Sequence, residues 1–217
     1  MAQYLRLGSI PSPLSIYKNI SKVEPGAIVS LQSAYGSLKI RQYWSTIDTM
    51  IAGSQSLFEG SDIEAEIQLE NILSNVVSMQ MLSDVPLGAF LSGGIDSSLI
   101  CALMQANSTG RIDTCSIGFE SKKFNEAEHA RAVAQHLGTN HFDLYVTGKE
   151  ALDVVPLLPV IYDEPFADAS QIPTYLVSKI AKKNVTVALT GDAGDELFGG
   201  YNRYTLTDKY WSKLSIL

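Results

Sequence analysis

Leu91-Ser92-Gly93-Gly94-Ile95-Asp96-Ser97-Ser98 follows an apolar, β-like run at 85–90 and opens an apolar stretch of helical character at 99–104. Strand, glycine-rich turn and helix start together form an arrangement that holds phosphate. Adjacent glycines let the backbone approach an anion, and the first amides of a helix have no partner within it. Ser97 and Ser98 add hydroxyl donors, and Asp96 is suited to a divalent cation that neutralises phosphate charge. A Walker-type loop is excluded because no lysine follows the glycines. A hydrolase nucleophile elbow is excluded because Phe90, not glycine, stands two residues before Ser92.

A second run closes on similar chemistry. The apolar segment 185–189 reads as a buried strand and leads into Thr190-Gly191-Asp192-Ala193-Gly194-Asp195-Glu196-Leu197-Phe198-Gly199-Gly200-Tyr201. Three acids and four glycines after a strand end suit the second wall of a nucleotide and metal site. An EF-hand calcium loop would need acids at alternate positions, whereas Asp192 and Asp195 are three apart. A solvated acidic turn seldom carries so many glycines beside Leu197 and Phe198.

The first segment resembles the S-G-G-x-D-S signature of the PP-loop ATP pyrophosphatases. Three further stretches narrow the resemblance: Asp84-Val85-Pro86-Leu87-Gly88, Ser116-Ile117-Gly118-Phe119, and the run from Asp163-Glu164-Pro165-Phe166-Ala167-Asp168 to Tyr175-Leu176. With the Gly-Asp-Ala-Gly-Asp-Glu-Leu-Phe-Gly-Gly-Tyr run they are similar to glutamine-hydrolysing asparagine synthetases, most strongly over about 62–204.

That resemblance implies a site. ATP would place its adenosine near Leu91, Ile117, Thr190 and Gly191, with Ser92, Gly93, Gly94, Ser97 and Ser98 around the β- and γ-phosphates. Asp96 and Asp195 would hold Mg2+. Asp192, where the family commonly has glutamate, would act in forming the acyl-adenylate, with Glu196 in support. The implied reaction adenylates the side-chain carboxylate of aspartate, and ammonia drawn from glutamine then displaces AMP. Two alternatives stand beside it: amidation of another carboxylate such as a sugar acid, and a nucleotide-binding fragment without turnover. Asp163-Glu164-Pro165-Phe166-Ala167-Asp168 reads either as a binder of a substrate amino group or as a loop leading into a helix.

Strand and helix alternate through most of the chain. Helices are expected at 62–79, 99–104, 125–137 and 172–183, and strands at 85–90, 112–119, 141–146 and 185–190. This predicts an α/β fold, a parallel sheet with helices on both faces that binds its ligand beyond the carboxyl ends of the strands. The resemblance makes it adenine nucleotide alpha hydrolase-like. Before it, 27–31 and 38–44 flank Ala34-Tyr35-Gly36-Ser37 as a hairpin. The expected organisation is 1–45 as the C-terminal remnant of an N-terminal nucleophile glutaminase domain, 46–61 as a polar linker, and 62–217 as an incomplete synthetase domain. The resemblance further implies a glutaminase half before this chain and a lysine-bearing part after it. A truncated fragment, inactive alone, is therefore expected, with a homodimer for the full-length protein.

Composition excludes other classes. A net charge of −7 over 217 residues argues against a general nucleic-acid surface. The two cysteines, Cys101 and Cys115, form no C-x-x-C pair and read as reduced core thiols. His129, His136 and His141 lack a metal-ligand frame and read as exposed helix or strand-edge residues. No apolar run reaches the ~20 residues of a bilayer span, so no membrane partner is expected and the compartment reads as the cytoplasm.

Overall fold

The computed structural model describes residues 1–33, 36–120 and 125–214. The chain opens with α1 (Ala2–Leu7), strands β1 (Ala27–Ser30) and β2 (Lys39–Gln42), and helices α2 (Thr46–Gln55) and α3 (Asp62–Gln80). Alternation then begins: β3 (Leu87–Phe90), α4 (Ile95–Ala106), β4 (Asp113–Phe119), α5 (Ala127–Leu137) and β5 (Asn140–Val146). Helices α6 (Gly148–Val154), α7 (Leu158–Ile161) and α8 (Gln171–Ala181) precede β6 (Val187–Leu189), α9 (Gly194–Phe198) and α10 (Asn202–Leu214).

The chain divides into two compact units, one of Met1–Glu66 with Val155–Ser170 and one of Ile67–Val154 with Gln171–Leu217. In the first, β1 and β2 pair antiparallel with Val29 opposite Ile40, the hairpin expected from the sequence. Two residues of its expected turn, Ala34 and Tyr35, lie outside the described residues. Glu164 accepts a hydrogen bond from the Ile16 amide at 2.9 Å and forms an ion pair with Lys22. Asp168 accepts from both the amide and hydroxyl of Ser170, directly before α8. This acidic segment runs as a loop up to α8, with Glu164 engaged inside its own unit. Segment 46–61, expected as a linker, holds a ten-residue helix, α2, whose N-cap Ser45 accepts from the Asp48 amide. Its apolar residues Ile47, Met50 and Ile51 stay exposed, so an N-cap and local propensity make this helix rather than burial.

The second unit is built on a four-stranded sheet in the order β5-β4-β3-β6, every neighbouring pair parallel. Alternation along the strands sends side chains to two faces. Ala89 and Leu91 join Cys101 and Met104 of α4 and Ala130 and Ala134 of α5 in one cluster. Cys115, with Phe90 and Ile117 against it, meets Val177 and Ala181 of α8 in another. Helices thus cover both faces, as the alternating pattern predicts. Helix α3 starts with a capping box: the Ser61 amide donates to Glu64 Oε2 at 2.8 Å, and Ser61 Oγ accepts from the Glu64 amide. Of its broad apolar face, Val77 is buried and Leu73 packs against the first cluster, while Ile63, Ile67, Ile72 and Met79 are exposed.

Strand order positions the site. From β3 the chain moves to β4 and β5 on one side, then returns to place β6 on the other, so the direction of winding reverses beside β3. A reversal of this kind leaves a crevice outside the carboxyl ends of the two strands that flank it. The loops leaving β3 and β6 are the two motifs of the sequence.

Candidate functional site

The first loop leaves β3 without breaking the ladder at once, because the Leu91 amide still donates to the Cys115 carbonyl at 2.9 Å. Gly93 then turns the chain with φ +83°, and a Cβ there would lie 2.7 Å from the Ala130 nitrogen of α5. Only glycine fits a left-handed backbone pressed so close to a helix. The hydroxyls of Ser92 and Ser97 are 2.9 Å apart, and Ser97 Oγ accepts from the Ser92 amide. Ser92 Oγ in turn accepts from the Gly94 amide, which gives the loop one shape. Gly94 is the N-cap of α4 and makes no side-chain cap hydrogen bond to the first-turn amides of this helix. Ser98 Oγ is buried and, among the described residues, has no hydrogen-bond partner. An orphan hydroxyl on an uncapped first turn fits an oxygen-rich ligand.

The second loop meets the first. A Cβ on Gly191 would lie 2.7 Å from the Ser97 nitrogen and 2.8 Å from the Asp96 carbonyl carbon, so the two backbones are in contact. The Asp96 carboxylate faces Gly194 and would stand 2.7 Å from a Cβ there. Asp195 is the next residue, and its carboxylate packs against Gly200, whose amide donates to the Asp195 carbonyl at 3.0 Å. Asp192 turns back on its own loop, with Oδ2 accepting from Thr190 Oγ1 at 2.9 Å. Between these acids Ala193 adopts φ +73°, a left-handed conformation uncommon outside glycine and asparagine. Glu196 accepts from the Tyr201 hydroxyl at 2.8 Å. That bond, followed by burial and the charges of Glu196 and Asp195, pushes the phenol above its ordinary range. The Arg203 guanidinium lies 4.1 Å from the Tyr201 ring centre and 5.7 Å from that of Tyr204.

Beside the first loop a cavity of about 390 Å3 opens among β3, β4 and α8. Leu91, Ser92 and Ile117, three of the residues expected around a nucleotide, line it, whereas Gly191 belongs to the contact with α4 and Thr190 bonds Asp192. Its walls also include Phe90, Phe119, Pro173 and Val177, with Thr174 and Glu126 as polar members. These the sequence reading missed. Thr174 and Val177 sit three apart on an expected helix, a signal that they share a face. Glu126 gave none, since an acid at a helix start reads as a complement to the dipole.

Among the described residues, no group of three or more His, Cys, Asp or Glu could hold a metal ion. Asp96 and Asp195 are only two carboxylates, the number Mg2+ commonly takes from a protein when phosphate oxygens and water complete its shell. The histidines divide. His129 and His136 are exposed on α5, but His141 on the edge strand β5 is half-buried. Its Nδ1 lies 2.9 Å from Thr114 Oγ1 and its Nε2 3.2 Å from Ser116 Oγ, two buried hydroxyls on β4. The thiols of Cys101 and Cys115 are free and buried, and burial pushes them up to about 12 and about 11. At such values they are packing groups rather than nucleophiles.

The family model for asparagine synthase matches residues 68–217. A protein named for asparagine synthetase in Methanocaldococcus jannaschii is 39% identical over 91% of this chain and 37% of its own length. The glutamine-hydrolysing asparagine synthetase 1 of Bacillus subtilis is 33% identical over 94% of this chain and 31% of its own length. The chain thus spans about a third of the length of these curated relatives. Among solved structures it is similar to a glutamine-dependent NAD+ synthetase from Acinetobacter baumannii in complex with adenosine diphosphate. That likeness has 22% identity and a TM-score of 0.42, over 61% of this chain and 27% of the other.

Proposed function

The chain belongs to the asparagine synthase family, and from that membership we propose that it carries the nucleotide-binding part of an ATP-dependent synthetase that makes asparagine. One observation carries this reading: Gly191 of the second loop rests on the Asp96-Ser97 backbone of the first, in the crevice where the winding of the sheet reverses. The residues assigned to the triphosphate are Ser92, Gly93, Gly94, Ser97 and Ser98. The uncapped first turn of α4 and the Ser98 hydroxyl, which has no partner among the described residues, support that assignment, because phosphate oxygens would satisfy both.

Asp96 and Asp195 would hold Mg2+, which would spread the charge that builds on the leaving pyrophosphate. In the reaction itself, a carboxylate oxygen of aspartate attacks the α-phosphorus of ATP as the bond to the β-phosphate oxygen breaks. Pyrophosphate leaves with the electron pair. Ammonia then attacks the acyl carbon of the mixed anhydride, AMP departs, and the ammonium proton is lost as the amide forms. Asp192, held by Thr190, would serve this step as a positioning carboxylate rather than as a cation ligand. Glu196 stays bound to Tyr201 and stiffens the loop.

Residues 1–45 would be the end of a glutaminase domain that supplies the ammonia, consistent with relatives named as glutamine-hydrolysing and about three times as long. Free buried thiols suit a reducing compartment, and we place the enzyme in the cytoplasm. No helix among the described residues is long and apolar enough to cross a membrane. The test is pyrophosphate release by a protein of the relatives' full length. Release is expected to depend on aspartate and to fall at least a hundredfold in Asp96→Ala, about the loss of one electrostatic stabiliser. Release that Asp96→Ala left untouched, or that no carboxylate substrate stimulated, would overturn the assignment.

A further inference from the structure

The reaction above gives no task to Glu126, the one carboxylate among the described residues that line the cavity. It stands directly before α5 as its N-cap residue, and its carboxylate makes no capping hydrogen bond. Among the described residues it has no ion pair either. The Glu126 carbonyl accepts from the Ala130 amide at 3.0 Å, and that same Ala130 nitrogen is what a Cβ on Gly93 would strike. Glu126 therefore lies one helical turn, about 5–6 Å, from the point where the first loop touches α5.

That position sorts the parts of a nucleotide by charge. Phosphates seated on the first loop would be repelled by a carboxylate one turn away, so the end of the ligand that faces Glu126 must be uncharged and rich in donors. The sugar is joined directly to the phosphates and carries two such hydroxyls. The base continues past it among the apolar walls, Phe90, Ile117, Phe119 and Val177. Resting on the ATP reading above, we infer that Glu126 accepts hydrogen bonds from the ribose hydroxyls of the bound nucleotide and so selects ribonucleotides over deoxyribonucleotides. The placement has a physical parallel in dinucleotide folds, where an acid beyond the strand next to the glycine loop takes the ribose hydroxyl. Here the neighbouring strand is β4, and Glu126 follows it.

The experiment is calorimetric titration of the full chain, and of Glu126→Ala and Glu126→Gln, with the magnesium complexes of ATP, 2′,3′-dideoxy-ATP and inosine triphosphate. Glu126→Ala is expected to weaken ATP about tenfold, in the range of hydrogen bonds to a charged group. It should weaken dideoxy-ATP less than twofold, because that ligand has no hydroxyl to lose. Glu126→Gln, which keeps an acceptor oxygen, should fall between. Equal weakening of ATP and dideoxy-ATP, or no weakening of either, would overturn the inference. A deficit that vanished with inosine triphosphate instead would place the contact on the base amine and overturn it too. If the unaltered chain bound none of the three, the ATP reading would fail first and this inference would fall with it, a result distinct from the others.

Discussion

Gly191 has no room for a side chain, and this is the tightest residue-scale constraint on the site. A Cβ there would sit 2.7 Å from the Ser97 nitrogen and 3.0 Å from the Ser97 Cα, both backbone atoms that a rotamer change cannot move. Gly191→Ala must separate the two loops or shift the start of α4. We expect it to cost about 1–3 kcal/mol of stability, the usual range for overpacking, and to weaken nucleotide binding as well. Urea denaturation of the variant beside the wild type checks the first part; a change within about 0.5 kcal/mol would mean the loops do not touch. Ala193 makes the complementary point. It holds φ +73° without being glycine, two residues from Asp195, which is the kind of local strain that clusters at functional loops.

At the scale of elements, the join between β4 and β5 depends on His141. Thr114, fully buried, shares its hydroxyl with Thr139 and with His141 Nδ1, while Ser116 meets Nε2. Desolvation holds the imidazole below its ordinary value of 6.5, the charge of Arg131 adds to that, and Asp143 opposes it. In the window below 6.5 the unfolded chain takes up a proton that the folded chain does not. Stability from this group is therefore fully present above 6.5 and is lost as pH falls toward the depressed folded value. Urea midpoints measured from pH 8 to pH 5 should drop through that window, and His141→Asn should flatten the drop. Profiles of the two proteins that stayed parallel across it would contradict the account.

The same elements show how far the sequence could be read. β3, β4, β5 and α5 were legible because their apolar spacing is regular and their ends carry glycine, as at Gly138, where α5 stops with φ +73°. Helix α2 was not, because its residues are polar or exposed and only Ser45 marks its start. His141 was read as an edge residue from its position, and β5 is indeed the edge strand. What turns its ring into a polar network is pairing with β4, which a single sequence does not display.

Across the whole molecule, the two motifs begin nearly a hundred positions apart in sequence and meet because β6 returns to the far side of β3. Each loop alone reads as a glycine-rich turn; their chemistry depends on the strand order that brings Asp96 to Gly194. Alternation of strand and helix predicts the parallel sheet and a crevice beyond its carboxyl ends, but the order that sets β6 beside β3 is visible only in the fold. The cavity was not legible either, because its walls come from β3, β4 and α8, whose meeting depends on side chains packed between α8 and one face of the sheet.

The most direct measurement is a double-mutant cycle on Asp96→Asn and Asp195→Asn, read as the affinity for Mn2+ by electron paramagnetic resonance with ATP present. If one cation and one triphosphate are shared by both loops, each substitution weakens Mn2+ and the two together cost less than the sum, with a coupling of about 1 kcal/mol or more. Strictly additive losses, or Mn2+ binding indifferent to either carboxylate, would show that the loops serve separate ends and would contradict the account.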